Sequence, residues 1–533
     1  MSDILGVMLD CSRNAVMNIQ SIKKYANLLS KMGYNTLMLY TEDTYEVDNQ
    51  PLFGYMRGRY SKAEMKEIDN YCFELGIEVV PCIQTLAHMD CLLKWQSEYD
   101  DIKDCNDILL IDEEKTYALI EDMFKTLSEC FRSRKIHIGM DEAWMVGLGK
   151  YRERFGDKNK FEIISGHLDK VCKIADKYGY QTMAWHDMFC KFTIGTDKYY
   201  SEDGDYDLSQ MELGAKMLPD NAAIVYWDYY KTEYKDYDRI IKICKKFNRD
   251  IYFAGGAWTW RGFPPDNDFS IKTTEPAIRA CIDNDIKNVI ITIWGDDGGE
   301  CSPYAVLPSL MYSAEAYRGN FDMESIKAKF KEITGADFES FLILDKINTP
   351  GGKHRMENNP NKYLLYNDLF TGLSDHLCVE ADETYYKDLA NEIKNACGKG
   401  EYGYIFDTME KMAEVLSIKV NLGNRTRQAY ISKDMKELKK IVADYDEVIK
   451  RMEVFHKVFE KQWFIDNKPF GFDIQDIRHG GIIQRIKSCK DRLIGFINGN
   501  ISEIPELDEK ILDKDCVWSW ARSVSPNVIS HII

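Results

Sequence analysis

The sequence lacks any long hydrophobic run: nowhere do about 18 consecutive apolar residues occur, which excludes a membrane-spanning helix. Its first residues show neither a basic segment before an apolar stretch nor a small-residue cleavage site, so no signal peptide is predicted. Basic residues are fewer than acidic ones: the sequence has 69 Lys and Arg and 87 Asp and Glu, which gives a net charge of −18. This balance argues against nucleic acid and anionic membranes as partners.

Paired cysteine motifs are missing as well. The chain has 15 cysteines but no CxxC pair, which argues against a zinc ribbon or a thioredoxin-like site. Several cysteines, such as Cys82, Cys172 and Cys244, lie inside apolar runs, where a free thiol behaves as a small hydrophobic side chain. These features predict a reduced, cytoplasmic protein.

Short apolar runs alternate with amphipathic segments over the first 320 residues. Each run is five to seven residues long and mostly without polar alternation, which is typical of strands buried on both faces of a parallel sheet. The amphipathic segments between them include 61–75, 161–178 and 235–247. The predicted strands are 4–9, 35–40, 77–83, 135–140, 181–185, 222–227, 250–254 and 288–294.

Eight strands alternating with helices predict an α/β fold, a (β/α)8 TIM barrel spanning residues 1–320. An open, doubly wound sheet is the main alternative. The barrel is favoured because eight units are its closure number, and because Asp10-Cys11-Ser12-Arg13 stands where a GxGxxG phosphate loop would follow the first strand.

After about residue 320 the strand signal disappears, and residues 321–533 are predicted to form an all-α C-terminal domain. Apolar residues from Met435 to Phe459 recur at spacings of three and four, which indicates a long amphipathic helix. Segments 361–373, 383–396 and 482–496 also have helical patterns. The aromatic and glycine-rich segment 470–481 is interpreted as a surface loop between two helices, with a reach into the active site as the alternative.

Acids and tryptophans follow nearly every predicted strand. In a TIM barrel these positions form the functional edge. Aromatic rings can stack on the C–H faces of a sugar while carboxylates accept hydrogen bonds from its hydroxyls, so the pattern favours a carbohydrate site over core packing. The residues at these strand ends are Asp10 and Arg13, Glu42 and Asp43, His88, Asp141 and Glu142, Trp185 and Asp187, Trp227 and Asp228, Trp258 and Trp260, and Trp294 with Asp296 and Asp297.

The fourth predicted strand ends in two adjacent acids, Asp141 and Glu142. Neighbouring residues on a regular strand point to opposite sides, so the two carboxyls can share a site only where the strand ends and the chain turns. Two close carboxyls repel when both are charged, which raises one pKa and keeps a proton available. Glycosidic cleavage needs such a proton donor, together with a group that stabilises an oxocarbenium-like transition state.

The segment His137-Ile-Gly139-Met140-Asp141-Glu142 resembles the His-x-Gly-Gly-Asp-Glu motif of glycoside hydrolase family 20, the β-N-acetylhexosaminidases, with Met140 in place of the second Gly. Further positions match along the barrel. The resemblance implies sugar-binding roles for Arg13 on the outer 3- and 4-hydroxyls, His88 after the third strand, Trp185 on the fifth, and Trp294 with Asp296 or Asp297 after the eighth.

Other parts of the sugar site are less precisely marked. Trp227 and Trp258 belong to the aromatic series and are expected to line the site. The family uses a Tyr to hold the acetamido carbonyl; Tyr229 is the candidate here, with Tyr230 or a residue near Trp258 as alternatives. The α/β domain that many family members carry before the barrel is not expected, since the first strand begins near residue 4, and the helical C-terminal domain resembles that of compact bacterial members.

The resemblance implies an exo-β-N-acetylhexosaminidase that releases terminal β-linked GlcNAc or GalNAc from oligosaccharide or glycoconjugate ends. In this mechanism Glu142 protonates the leaving oxygen, the substrate's own acetamido oxygen attacks the anomeric carbon, and Asp141 orients and stabilises the acetamido group. This substrate-assisted retention is an exception to the two-carboxylate scheme.

Two other functions remain open: another retaining barrel β-glycosidase, and a catalytically silent sugar-binding protein. A metal site built from His88, His137 and His186 is not favoured, because no HxH follows the first strand and the acids are accompanied by Trp rather than by more His. His137 is interpreted as a hydrogen-bonded core residue. Neither a metal nor a cofactor is expected.

Overall fold

The computed structural model describes residues 3–200, 208–296, 298–350, 359–378 and 381–512. Eight parallel strands close into a barrel in the order β1-β10-β9-β8-β7-β6-β3-β2, and β4 and β5 form a separate antiparallel pair. The strands are β1 Leu5–Asp10, β2 Thr36–Thr41, β3 Glu78–Ile83, β4 Lys103–Cys105, β5 Ile108–Leu109, β6 Lys135–His137, β7 Gln181–Trp185, β8 Ala222–Trp227, β9 Ile251–Gly256 and β10 Asn288–Ile293. The predicted barrel is confirmed.

The barrel interior is a packed core. Met8 on β1 pairs in register with Met38 on β2 and Thr292 on β10. Apolar side chains from the other strands fill the same space, which explains why the strands read as unbroken apolar runs. The core consists of Ile4, Met8, Met38, Tyr40, Val80, Cys82, Met183, Trp185, Val225, Ala254 and Ile290.

Helix ends are fixed by local signals that the sequence carries. The helix after β2 begins behind Ser61, whose side chain accepts the Glu64 N–H, while Glu64 accepts the Ser61 N–H in return. The helices of the first 334 residues are Ile19–Met32, Lys62–Glu74, Asp90–Leu93, Gln96–Tyr99, Glu114–Cys130, Lys150–Phe155, Lys160–Lys177, Asp187–Ile194, Thr196–Tyr200, Leu208–Ala215, Tyr234–Lys245, Asn267–Asp283, Leu307–Tyr317 and Met323–Thr334.

The rest of the described chain is helical. One helix, Met435–Asp466, contains the long amphipathic pattern, with Leu438, Tyr445 and Met452 among its buried residues. No helix within the described ranges is long and apolar enough to span a membrane. The helices after residue 334 are Phe338–Asp345, Pro360–Tyr366, Ala381–Asn395, Gly403–Lys419, Leu422–Ile431, Met435–Asp466, Phe472–Ile497 and Pro505–Asp508.

Two predictions for this part were wrong. Segment 470–481 is not a loop, because the last long helix begins at Phe472; Gln475 and His479 lie buried on its inner face, and that burial outweighs the roughly 1 kcal/mol that each helical glycine costs. The helix predicted over 361–373 ends at Tyr366, where Asn367 adopts an extended backbone and its amide donates to Asp375 at 2.7 Å.

The chain forms two compact units. The first comprises residues 1–257, 269–294 and 309–326, and contains the barrel. The second comprises 258–268, 295–308 and 327–533, so the segments that follow β9 and β10 group with the helices. The domain boundary near residue 320 stays a prediction.

Candidate functional site

The strand that carries the two acids ends earlier than predicted. β6 stops at His137, and the chain then bends through Gly139 and Met140, both with positive φ (+73° and +74°), and through Glu142 (+49°). A Cβ on Gly139 would lie 2.0 Å from Gln84 Oε1, so this position requires glycine. Met140 adopts the left-handed backbone that glycine favours, although it carries a buried side chain.

This bend gives the adjacent acids different surroundings. The Asp141 side chain is 14% exposed and that of Glu142 is 52% exposed. Gln84 Nε2 donates to Asp141 Oδ1 at 2.8 Å, and His88 Nε2 lies 3.3 Å from Asp141 Oδ2. Asp141 is therefore held on the barrel side of the bend, while Glu142 reaches outward.

The electrostatics separate the two acids further. Burial opposes the charge on Asp141, but the charge of the neighbouring His88 and the hydrogen bond from Gln84 outweigh it and lower the pKa of Asp141. For Glu142, the partial desolvation of its half-exposed side chain and then the negative charge of Asp141 raise the pKa. At neutral pH this arrangement favours an ionised Asp141 next to a Glu142 that more readily keeps its proton.

His88 is the cation shared by both acids. Its Nε2 is 3.3 Å from Asp141 Oδ2 and 3.7 Å from Glu142 Oε2, and its backbone N–H donates to Asp107 Oδ2 at 2.9 Å. Burial opposes protonation of the imidazole, but the charge of Asp141 outweighs that effect and raises the pKa of His88 to about 9. His88 is thus brought to the acids, as the sequence implied.

The side chain of Asp187 is hydrogen-bonded to the backbone of this bend. This carboxyl is fully buried at the start of helix Asp187–Ile194, and its Oδ2 accepts the Glu142 N–H at 3.3 Å. Burial and then the charge of Asp141 raise the pKa of Asp187 to about 7. Its cationic neighbour is Lys191, whose Nζ lies 3.9 Å from Asp187 Oδ2.

Arg13 occupies the end of β1. Its guanidinium lies 3.3 Å from both Asp10 Oδ2 and Glu42 Oε1. The Tyr40 hydroxyl donates to the same Glu42 oxygen at 3.2 Å and accepts from Gln84 at 2.9 Å, which joins the Arg13 cluster to the Asp141 cluster. Burial raises the pKa of Glu42, against the charge of Arg13.

Aromatic side chains of the first unit surround this region. Trp227 and Tyr229 stack with centroids 5.4 Å apart. Tyr229 is hydrogen-bonded to the side chains of Trp294 and Thr292, and Trp294 meets Tyr40 edge-on at 4.7 Å. Trp227, Tyr229 and Trp294 are thereby brought together with the residues around Asp141.

Trp185 differs from its expected place on the pocket wall. It is fully buried in the barrel core, 4.2 Å from the His137 ring and 6.1 Å from Trp294. The side chain at the last position of β7 faces the packed interior, which leaves no surface for a sugar to contact directly. Trp185 instead packs against Trp294 from the barrel core.

The remaining predicted residues belong to the second unit. Trp258 is 2% exposed and stacks on Trp260 at 4.5 Å, so it is a buried residue of that unit. Asp296 lies in the same unit, two residues after Trp294, which directly follows β10. Asp297 lies outside the described residues. The roles of Asp296 and Asp297 stay predictions.

His137 and His186, the other two histidines considered as metal ligands, are buried groups with lowered pKa values. Burial lowers the pKa of His137 to about 3, and its Nδ1 accepts the Gly139 N–H at 3.1 Å. Burial likewise lowers the pKa of His186 to about 3, and its Nε2 is 2.6 Å from the Tyr199 hydroxyl. Among the residues that the structure describes, no group of three or more His, Cys, Asp or Glu could hold a metal ion.

Two contributors to the site, Gln84 and Lys191, carried no predicted role, and Asp187 was predicted only as one of the acids at the strand ends. Gln84 and Asp187 follow barrel strands, so their positions at the functional edge were a usable signal. Lys191 lies inside a helix, and nothing in its sequence context distinguishes it from a solvated surface lysine.

Comparison with known proteins connects this geometry to a family. Residues 5–288 match the model for the glycosyl hydrolase family 20 catalytic domain, and residues 339–518 match that for the glycoside hydrolase 20C C-terminal domain. The chain is 22% identical to human hexosaminidase D over 348 residues, covering 61% of this chain and 67% of the relative. It is 23% identical to the bovine hexosaminidase D over 210 residues, or 38% and 56%.

Solved structures of other proteins resemble this chain at lower sequence identity. An exo-β-N-acetylglucosaminidase from Vibrio harveyi is 14% identical with a TM-score of 0.47, covering 64% of this chain and 58% of that one. A β-N-acetylhexosaminidase from Bacteroides fragilis is 20% identical with a TM-score of 0.46, covering 62% and 70%. The matched part of the chain thus spans between about half and two thirds of most of these relatives. Because the catalytic-domain model alone matches more than half of its residues, the chain belongs to glycoside hydrolase family 20.

Proposed function

We propose that this protein is an exo-β-N-acetylhexosaminidase that removes terminal β-linked GlcNAc or GalNAc by substrate-assisted retention. One observation carries the proposal: two adjacent carboxyls stand in different surroundings, with Asp141 14% exposed and bonded by Gln84 and Glu142 52% exposed, which lowers the pKa of the first and raises that of the second. Acid and base roles are assigned where neighbouring titratable groups have their pKa values driven apart.

In the proposed mechanism, Glu142 gives its proton to the glycosidic oxygen as that bond breaks. The acetamido oxygen of the substrate attacks the anomeric carbon and forms an oxazolinium ion. Ionised Asp141 accepts the acetamido N–H and stabilises the positive charge that develops on the group. Glu142 then removes a proton from water, which opens the oxazolinium and restores the β configuration. The internal nucleophile is effective because it is already in place.

The structure gives little support to an enzyme nucleophile. Asp187, whose carboxyl accepts the Glu142 N–H, is fully buried, and its pKa is raised to about 7. A carboxyl that is partly protonated at neutral pH and has no solvent access is a poor nucleophile. This favours the substrate's acetamido group over the two-carboxylate alternative.

The exo mode is proposed from Arg13. Its guanidinium is held between Asp10 and Glu42 at the edge of the barrel, next to the Asp141 cluster. A fixed cation of this kind can hold the outer hydroxyls of a non-reducing terminal sugar. We expect early release of single N-acetylhexosamine units from a chito-oligosaccharide, whereas early dimers and trimers would indicate an endo-enzyme.

Assays on aryl β-GlcNAc, β-GalNAc and β-glucoside, run side by side, test the substrate class. We expect turnover of the N-acetyl sugars and none of the glucoside, together with strong inhibition by a GlcNAc-thiazoline that mimics the oxazolinium. Turnover of the glucoside without thiazoline binding would favour an enzyme nucleophile. Binding of N-acetyl sugars without turnover would favour a silent sugar-binding protein.

A further inference from the structure

An exposed tryptophan follows the acid directly. Trp144 stands two residues after Glu142, and its backbone N–H donates to the backbone carbonyl of Glu142 at 2.7 Å, so the two side chains leave the same tight turn. Trp144 is 38% exposed, and Met145 and Leu148 further along the loop are exposed as well. Apolar side chains exposed together beside a catalytic group are characteristic of a ligand surface.

A buried cation holds this tryptophan. Lys191 Nζ lies 4.6 Å from the centre of the Trp144 ring, although Lys191 itself is only 3% exposed. An ammonium over an indole face is attracted by the ring's electron density and restrains the ring's orientation. The solvent-exposed part of the ring is therefore presented in a fixed position.

The same cation is linked to the acid. Lys191 Nζ is 3.9 Å from Asp187 Oδ2, and that oxygen accepts the Glu142 N–H at 3.3 Å. One continuous set of contacts joins the Trp144 ring to the backbone of Glu142. The position of the Trp144 ring relative to Glu142 is thus fixed by the backbone turn and by the contacts through Lys191 and Asp187.

We propose that Trp144, positioned by Lys191, forms the subsite that binds the leaving-group sugar of a β-linked glycan. This rests on the proposed role of Glu142. The scissile oxygen must lie within hydrogen-bond reach of Glu142, with the retained sugar on the inner, Asp141 side and the leaving group on the outer side, where Trp144 stands. A β-linked pyranose presents an apolar C–H face that fits an indole ring.

Trp144→Ala tests the subsite through two substrates that share the same retained sugar. For N,N′-diacetylchitobiose, whose leaving group is a sugar, we expect kcat/KM to fall about tenfold through loss of the stacking contact. For methyl β-N-acetylglucosaminide, whose leaving group has no ring, we expect no change. Trp144→Phe should retain most of the preference for the disaccharide.

Phe73→Ala is the matched control. Phe73 is also exposed and also has a cation over its ring, with Arg132 Cζ 4.8 Å from the centroid, but it lies on helix Lys62–Glu74. It should alter neither substrate. An equal loss on both substrates with Trp144→Ala would overturn the subsite.

Lys191→Met tests the positioning role by removing the charge while keeping most of the stem. Loss of this charge also acts on Glu142 and so on both substrates. The readout is therefore the ratio of kcat/KM for the disaccharide to that for the methyl glycoside. We expect this ratio to fall by less than with Trp144→Ala, and not to fall further when Trp144→Ala is added, because both changes act through one contact. Fully additive losses would show that Lys191 does not act through Trp144.

Calorimetry in a Glu142→Gln background separates this proposal from the proposed function. There, Trp144→Ala should weaken binding of the disaccharide but not of free N-acetylglucosamine, whether or not the wild-type protein turns either glycoside over. Absence of turnover in the wild type would count against the proposed function alone. Equal weakening of both ligands would count against the subsite alone.

Discussion

Two lysines, one in each unit, are buried to the same extent and surrounded very differently. Lys191 in the barrel unit and Lys419 in the helical unit are each 3% exposed. Lys419 Nζ donates to the carbonyls of Leu364 (3.0 Å) and Asn367 (2.7 Å), at the C-terminal end of helix Pro360–Tyr366. It thereby satisfies carbonyls that the helix itself cannot pair and complements the negative end of its dipole.

Lys191 is surrounded by other groups. Among the described residues, the carboxylate paired with it is that of Asp187 at 3.9 Å, and the rings of Trp144 and Trp227 lie 4.6 and 5.7 Å from its Nζ. A buried charge hydrogen-bonded to main-chain carbonyls serves the fold, whereas one held by rings and a loosely spaced carboxylate beside an acid indicates a functional role. The comparison therefore predicts that Lys419 affects stability and Lys191 affects catalysis.

The comparison depends first on Glu142 being the proton donor. Glu142→Gln should leave the fold and sugar binding intact while kcat falls by about 10²–10⁴, the usual contribution of general acid catalysis. The loss should be smaller for aryl glycosides with good leaving groups, which need less protonation. Steady-state kinetics across leaving groups of graded pKa measure this, and equal losses throughout would contradict the assigned role.

Asp141→Asn removes the other half of the acid pair. We expect kcat to fall by roughly 10²–10³, because a neutral amide replaces the carboxylate that faces developing positive charge. The charge of Asp141 also raises the pKa of His88 to about 9 against the effect of burial, so the substitution should lower that pKa. NMR titration of the His88 ring checks this, and an unchanged titration would show that the His88 charge has another cause.

Lys419→Ala tests the stability side of the comparison. Two buried carbonyls lose their donor and the lysine stem leaves a gap, so the free energy of unfolding should fall by about 2–4 kcal/mol. The kcat/KM of the folded enzyme should not change. Denaturant unfolding and steady-state assays on the same preparation measure both quantities; a loss of activity without a loss of stability would end the distinction between the two lysines.

Lys191→Met tests the catalytic side through the pH profile. The charge of Lys191 acts to lower the pKa of Glu142, so its removal should raise that pKa. Because the reaction needs protonated Glu142, activity is lost as the pH rises through the pKa of Glu142, and the basic limb of kcat/KM should move to higher pH. The matching variant Lys419→Met should leave the limb in place.

Much of the fold could be predicted because barrel strands are short, apolar and separated by helices with their own end signals. The eight strands agree with prediction except at β6, which ends at His137 rather than Met140. Gly139 is a sequence signal for this bend, but Met140 is not, because a left-handed backbone is uncommon for a residue with a long side chain. Segment 470–481 was misread for the opposite reason: its glycines suggested a loop, but burial of one helix face prevailed.

The order of residues along the chain alone determined which groups stand at the functional edge, since the end of each parallel strand lies on one rim of the barrel. It placed Arg13, His88, Asp141 and Glu142 there. It did not determine how adjacent carboxyls acquire opposite pKa shifts, or that Trp185 is buried while Trp144 is exposed. Only the tertiary structure decided these, because a pKa and an exposure depend on neighbours brought from other strands: Gln84 and His88 after β3, Asp187 and Lys191 after β7.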